Sequence, residues 1–154
     1  MDDWEAEISR FRVLVRQADE EIVKAGQIGV AKACDAGLRE CLGARRYSDV
    51  TGRLTKSAYK RYVNNPRGAA GVFGFRANHA SYVDEGTPPH AIEAKGGGML
   101  RFNVGGAVVF AKRVNHPGTQ PDRFLERGET KAEQVLRSEI EGGIRNAARI
   151  LGGS

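Results

Sequence analysis

The chain has 154 residues, of which 40% are hydrophobic and 28% charged, with a net charge of +5, a balance that suits one globular domain with a core of its own. No apolar run approaches the ~18 residues a membrane span needs, and the opening Met1-Asp2-Asp3-Trp4-Glu5 is acidic where a secretory signal is basic and then apolar, so the chain reads as soluble and made in the cytoplasm. The charge is uneven: residues 1–50 hold 8 Lys/Arg against 10 Asp/Glu, residues 51–123 hold 11 against 4, and residues 124–154 hold 5 of each.

From Trp4 onward, apolar or small residues recur at Ile8, Phe11, Val15, Ala18, Ile22, Ala25 and Gly29. Spacings of four and three alternate, which puts these residues on one stripe of a helix, and a long helix is predicted over 3–42. Gly26 and Gly29 mark either a break or a close helix contact, and Gly43 is a natural stop. Cys34 and Cys41 lie seven residues apart on this helix, roughly 10 Å along its axis. That is too far for a disulfide, and no further ligands stand at zinc-site spacing, so both read as buried or half-buried thiols.

After a polar link, Arg45 to Asp49, the pattern becomes that of strands. Ser57–Val63 and Ala70–Arg76 flank the turn signal Asn64-Asn65-Pro66-Arg67-Gly68. Met99–Val104 and Ala107–Ala111 flank Gly105-Gly106, a tight-hairpin signal. Between the two hairpins runs a Pro- and Gly-rich segment with Gly86-Thr87-Pro88-Pro89-His90 and the loop tip Gly96-Gly97-Gly98. The last helix is predicted over 121–150, opened by Pro121-Asp122, with a candidate break at Gly142-Gly143. The fold expected is α+β: a twisted antiparallel sheet of about four strands in region 50–120, with the N- and C-terminal helices packed on one face. Phe102 and Phe110 should be buried on that sheet, and Phe124 should lock the last helix to it.

The histidines are the first candidates for chemistry. His79, His90 and His116 fall in the central region with Asp84 and Glu85, but no pair has the spacing that sets two ligands on one helix face. Gly-x-Ser-x-Gly and the phosphate-binding Gly-x-x-x-x-Gly-Lys-Ser/Thr are missing too. Neither an enzyme, a metal nor a cofactor is expected.

What remains is three corner motifs in a fixed order. The first is Val50-Thr51-Gly52-Arg53-Leu54-Thr55-Lys56-Ser57. The second is His79-Ala80-Ser81-Tyr82-Val83-Asp84-Glu85-Gly86-Thr87, with Pro89-His90 after it. The third is Val114-Asn115-His116-Pro117-Gly118-Thr119-Gln120-Pro121-Asp122-Arg123-Phe124-Leu125. Thr51-Gly52 turns the chain out of the first helix, Gly86-Thr87-Pro88-Pro89 fixes an extended exit, and Pro117-Gly118 is a type II turn candidate.

These blocks, with Leu100-Arg101-Phe102 in the second hairpin, resemble the tail-component family of lambda-like long-tailed bacteriophages, the tail-completion or head–tail joining proteins. The resemblance covers roughly residues 48–127. Asp84 stands where the family more often has Glu, and His79 where an aromatic is common. The resemblance implies a structural virion protein of the phage neck or upper tail, a homo-oligomeric ring with six copies by analogy with the sixfold tail. Its partners would be itself and neighbouring neck and tail proteins, with DNA passing through the ring without sequence-specific binding, and no membrane. It carries no catalytic residues. The matched positions Thr51, Gly52, Leu54, Ser57, Tyr82, Val83, Asp84, Gly86, Thr87, His90, His116, Pro117, Gly118, Thr119, Pro121 and Phe124 are then structural: Tyr82 and Val83 as core anchors, Thr87 and Thr119 bonding local backbone in their turns, and Phe124 with Leu125 pinning the last helix. Lys95, Gly96, Gly97 and Gly98 form a candidate subunit-interface loop. The alternative is a nucleic-acid-binding module that uses the basic central region.

Overall fold

The computed structural model describes residues 3–43, 46–47 and 49–152; Met1 and Asp2 of the acidic N-terminus and Arg45 and Ser48 of the polar link lie outside them. In chain order the elements are α1 (Asp3–Gly43), α2 (Arg53–Lys56), β1 (Ala58–Asn65), β2 (Gly68–Phe75), α3 (Ala80–Glu85), β3 (His90–Glu93), a 3-10 turn (Lys95–Gly97), β4 (Leu100–Val104), β5 (Ala107–Ala111), β6 (Arg113–His116) and α4 (Phe124–Gly152). The α+β class and both long helices are as expected. The residues group into two compact units, one formed by the chain through Ala77 together with Phe124 onward, the other by Asn78–Arg123.

In the first unit α1 and α4 pack antiparallel, because their small residues let the backbones approach. A Cβ on Gly37 would lie 2.9 Å from the Gly128 carbonyl oxygen, and one on Gly128 would lie 2.8 Å from that of Gly37 and run into Cys41 Sγ. Gly143 seats against Ala25 in the same way. Neither helix breaks at its glycines: α1 is continuous through Gly26 and Gly29, and Gly29 is a close contact facing Leu136 and Glu139. The β1–β2 hairpin lies on α1, with Gly71 over Cys34 and Val30, and Phe73 over the notch that Gly37 and Gly128 leave. Phe124, wholly buried, meets Phe75 edge-on at 5.1 Å between ring centroids and Tyr47 at 5.5 Å. The expected lock of the last helix onto a strand is therefore present, on β2.

Helix α4 begins at Phe124, three residues later than predicted. Arg123 adopts a left-handed conformation (φ 59°) that cannot propagate a right-handed helix backwards, so Pro121 and Asp122 precede the helix instead of opening it.

The strands depart from the four-stranded sheet. They form three separate antiparallel pairs, β1–β2, β3–β6 and β4–β5. The first belongs to the unit of the long helices and the other two to the second unit. In β4–β5, Phe102 pairs with Val109 and Phe110 with Arg101. Neighbouring positions along a strand point to opposite faces, so Phe102 and Phe110 cannot share a buried face. Phe102 is half-buried and Phe110 is 56% exposed, which corrects the expectation that both are core.

Candidate functional site

The first corner motif sits in the unit of the long helices. Gly52 has φ 67° and caps α2, a conformation that costs a residue with a Cβ about 1–2 kcal/mol. Leu54 is buried, and the Ser57 hydroxyl donates to the Leu54 carbonyl at 2.7 Å. The Thr51 hydroxyl accepts from the Arg53 amide at 3.3 Å. The fastener is a residue outside the motif roles assigned from sequence: the Asp49 carboxylate accepts from the Thr55 amide at 2.8 Å and from its hydroxyl at 2.6 Å. An acid three residues ahead of a glycine turn is the signal that could have found it.

The second motif and the third as far as Arg123 come together in the other unit. Thr87 and Thr119 form an isolated antiparallel bridge, each amide donating to the other's carbonyl at 3.0 Å, with the hydroxyls 3.0 Å apart. They therefore bond each other across the chain and not, as expected, backbone within their own turns. Beside the bridge, a Cβ on Gly86 (φ 74°) would lie 2.5 Å from the Thr119 oxygen, and one on Gly118 (φ 84°) would run into the Thr87 oxygen. The positive φ at Gly118, after Pro117, agrees with the expected turn. The Asp122 amide donates to the Val83 carbonyl at 3.1 Å and that of Arg123 to the Asp84 carbonyl at 3.0 Å, so the segment after Pro121 is strapped to the end of α3. Asp84 and Asp122 are both buried.

Past the bridge the chain continues into β3–β6, where His90 pairs with His116 and Glu93 with Arg113. In the sequence both segments look like corners, since each abuts a proline. The missed signal is the alternation that puts Ile92 and Val114 opposite each other on one face. The two imidazoles lie 5.1 Å apart between centroids, tilted by 31°. His90 Nδ1 is 2.9 Å from the Pro88 carbonyl oxygen, so it carries the proton. His116 Nδ1 accepts from the Gly118 amide at 3.1 Å, so its proton is on Nε2. The histidines thus hold turns in place, and among the described residues no group of three His, Cys, Asp or Glu could hold a metal ion.

Tyr82 is 63% exposed and Val83 half-buried. Tyr82 is not the core anchor expected, because α3 is short and turns that side chain outward while Ala80 and Asp84 face in. Next to the histidine pair an apolar cleft of about 330 Å³ is lined by Ile92, Leu100, Phe102, Val114, His116 and Pro117. The Lys95–Gly98 loop is exposed, with Gly96 (φ 63°) and Gly97 (φ 74°) in the left-handed region.

A second exposed surface lies on α1. Every residue from Trp4 to Val13 is exposed, including Trp4 (56%) and Phe11 (61%). The contacts of Gly37 with Gly128 and of Ala25 with Gly143 set the register of α4 on α1; continued residue for residue, Gly152 reaches only about as far as Arg16. The first three turns of α1 project past its partner helix. Compared with known protein families, curated proteins and solved structures, the chain shows no match.

Proposed function

We propose that this protein is a structural component of a bacteriophage neck or upper tail, forming a homo-oligomeric ring that completes the tail and helps join it to the head. The observation that carries the reading is how the second and third motifs are used. Their residues serve backbone shape, through the Thr87–Thr119 bridge, the Gly86 and Gly118 contacts and the His116 turn, while the unit they build presents an apolar cleft and an exposed glycine loop at the surface. Motif residues spent on building a rigid corner suit a protein whose work is assembly, in which rigid surfaces dock without reorganising. The Lys95–Gly98 loop is then a subunit contact, ordered when a neighbour closes over it.

The test is fractionation of phage particles made with and without the gene for this chain. The expected result is the protein in stoichiometric amount in purified virions, and separate filled heads and tails when the gene is deleted. Deletion of Gly96–Gly98 should leave a folded protein and the same joining defect. Salt-dependent DNA binding by the isolated protein, with no virion incorporation, would favour the nucleic-acid module instead.

A further inference from the structure

The projecting part of α1 carries an apolar stripe of Trp4, Ile8, Phe11 and Val15, every one of them exposed. Exposed apolar residues scattered singly need no explanation; four on consecutive turns of one helix face do, because they repeat the four–three spacing by which two helices pack. The rest of this stripe is already used that way. Ala18 and Gly29 are buried, and Ala25 and Gly29 sit against α4.

From this we infer that the occupant of the free stretch is the same stretch of a second copy of this chain, running antiparallel. The sequence of the stretch is self-complementary in that direction. A twofold axis passing between Ser9 and Arg10 sets Trp4 opposite Val15 and Ile8 opposite Phe11, then repeats both layers with the copies exchanged. The same axis brings Glu5 of one helix alongside Arg12 of the other, because both lie on the same flank of the stripe and antiparallel packing sets like flanks together, with Arg16 just beyond. A parallel, in-register pair would instead stack Trp4 on Trp4 and Phe11 on Phe11, bulky on bulky, and leave a thin Val15 layer, whereas the antiparallel pair sets a larger side chain opposite a smaller one in every layer. Ordering the helix adds little cost, since α1 is nucleated and held by its packed half. An isologous contact of this kind closes at two copies. It is therefore separate from any head-to-tail ring contact and does not rest on the phage reading: either can fail while the other stands.

The test uses the full chain. The mass measured by light scattering should fall by half in Phe11→Glu, with helicity unchanged, because Phe11 makes its contact only in the pair. A Glu5→Arg variant should likewise halve the mass, and mixing it with an Arg12→Glu, Arg16→Glu variant should restore pairing between the two. Direction is read by oxidation. Ile8→Cys mixed with Phe11→Cys should cross-link the two variants to each other far more than either to itself. An unchanged mass in Phe11→Glu would overturn the inference. So would cross-linking of Phe11→Cys chiefly with itself, which marks a parallel pair.

Discussion

Thr87 and Thr119 are separated by 32 residues yet exchange both backbone hydrogen bonds and place their hydroxyls 3.0 Å apart. This bridge continues the β3–β6 pairing, in the same register, past Pro88, Pro89 and Pro117, each of which lacks the amide an unbroken ladder would need. The hydroxyl contact is exposed and should be worth little, about 0.5–1 kcal/mol in a double-mutant cycle of Thr87→Val and Thr119→Val measured by urea unfolding. The backbone around it is far less forgiving. Gly118→Ala places a methyl against the Thr87 carbonyl at a φ of 84° and should cost about 3 kcal/mol. A Gly118→Ala protein as stable as the parent would refute the close approach described here.

How far the sequence reached depended on whether a pattern was local. The alternating spacing of α1, the Gly105-Gly106 hairpin and the burial of Phe124 all follow from neighbours in sequence or from size and hydrophobicity, and these were legible. Pairing across long intervals was not. Thr87 and Thr119 each look like a turn residue, and only the fold reveals that each completes the other. The β3–β6 pair was hidden because strands of four residues leave two alternations to read. The outward Tyr82 was misread for a different reason: a six-residue helix has two faces, and its apolar residues do not announce which is inside.

Among the described residues Phe124 is the largest side chain with no exposure, at the point where α4 begins. Phe124→Ala removes the ring from both Phe75 and Tyr47 and should cost about 3–5 kcal/mol. Phe110→Ala, on an exposed face, should change stability by less than about 0.5 kcal/mol. Thermal or urea unfolding of the two variants checks the contrast, and a loss in Phe110→Ala as large as that in Phe124→Ala would contradict the exposure of Phe110.

The helix glycines should divide by what a methyl would meet. At Gly26 nothing lies within 4 Å, so Gly26→Ala should stabilise the protein by up to about 1 kcal/mol through helix propensity and a less flexible unfolded chain. At Gly128 the methyl meets Cys41 Sγ and the Gly37 carbonyl, so Gly128→Ala should destabilise by about 1–3 kcal/mol despite the same propensity gain. Opposite signs in the two unfolding free energies are the expected readout. A stabilising Gly128→Ala would mean that α1 and α4 do not pack at this distance.

Cys34 provides a pH test of the hairpin's seat on α1. The thiol is buried beneath Gly71, and its pKa is raised above the ordinary 9.0, first by burial and then by the charge of Asp35, with Lys60 pulling the other way from its ion pair with Asp35. The sign follows from proton linkage. Because the folded state holds this proton more tightly than the unfolded chain, the contribution to stability is complete below about pH 9 and is lost as the pH rises through the folded-state value. The protein should therefore lose stability on the alkaline side, and Cys34→Ser or Cys34→Ala should flatten that loss, although both lower stability at neutral pH. Thiol-reactive dyes at pH 7 should label Cys34 only slowly until denaturant is added, since the thiolate is the reacting form and the site is closed. Replacing Lys60 with Met should raise the Cys34 pKa further, because it removes the one group that favours the thiolate. Labelling rates followed from pH 7 to 10 separate Lys60→Met from the parent, and a faster rate in Lys60→Met would contradict the placement of Lys60 beside this thiol.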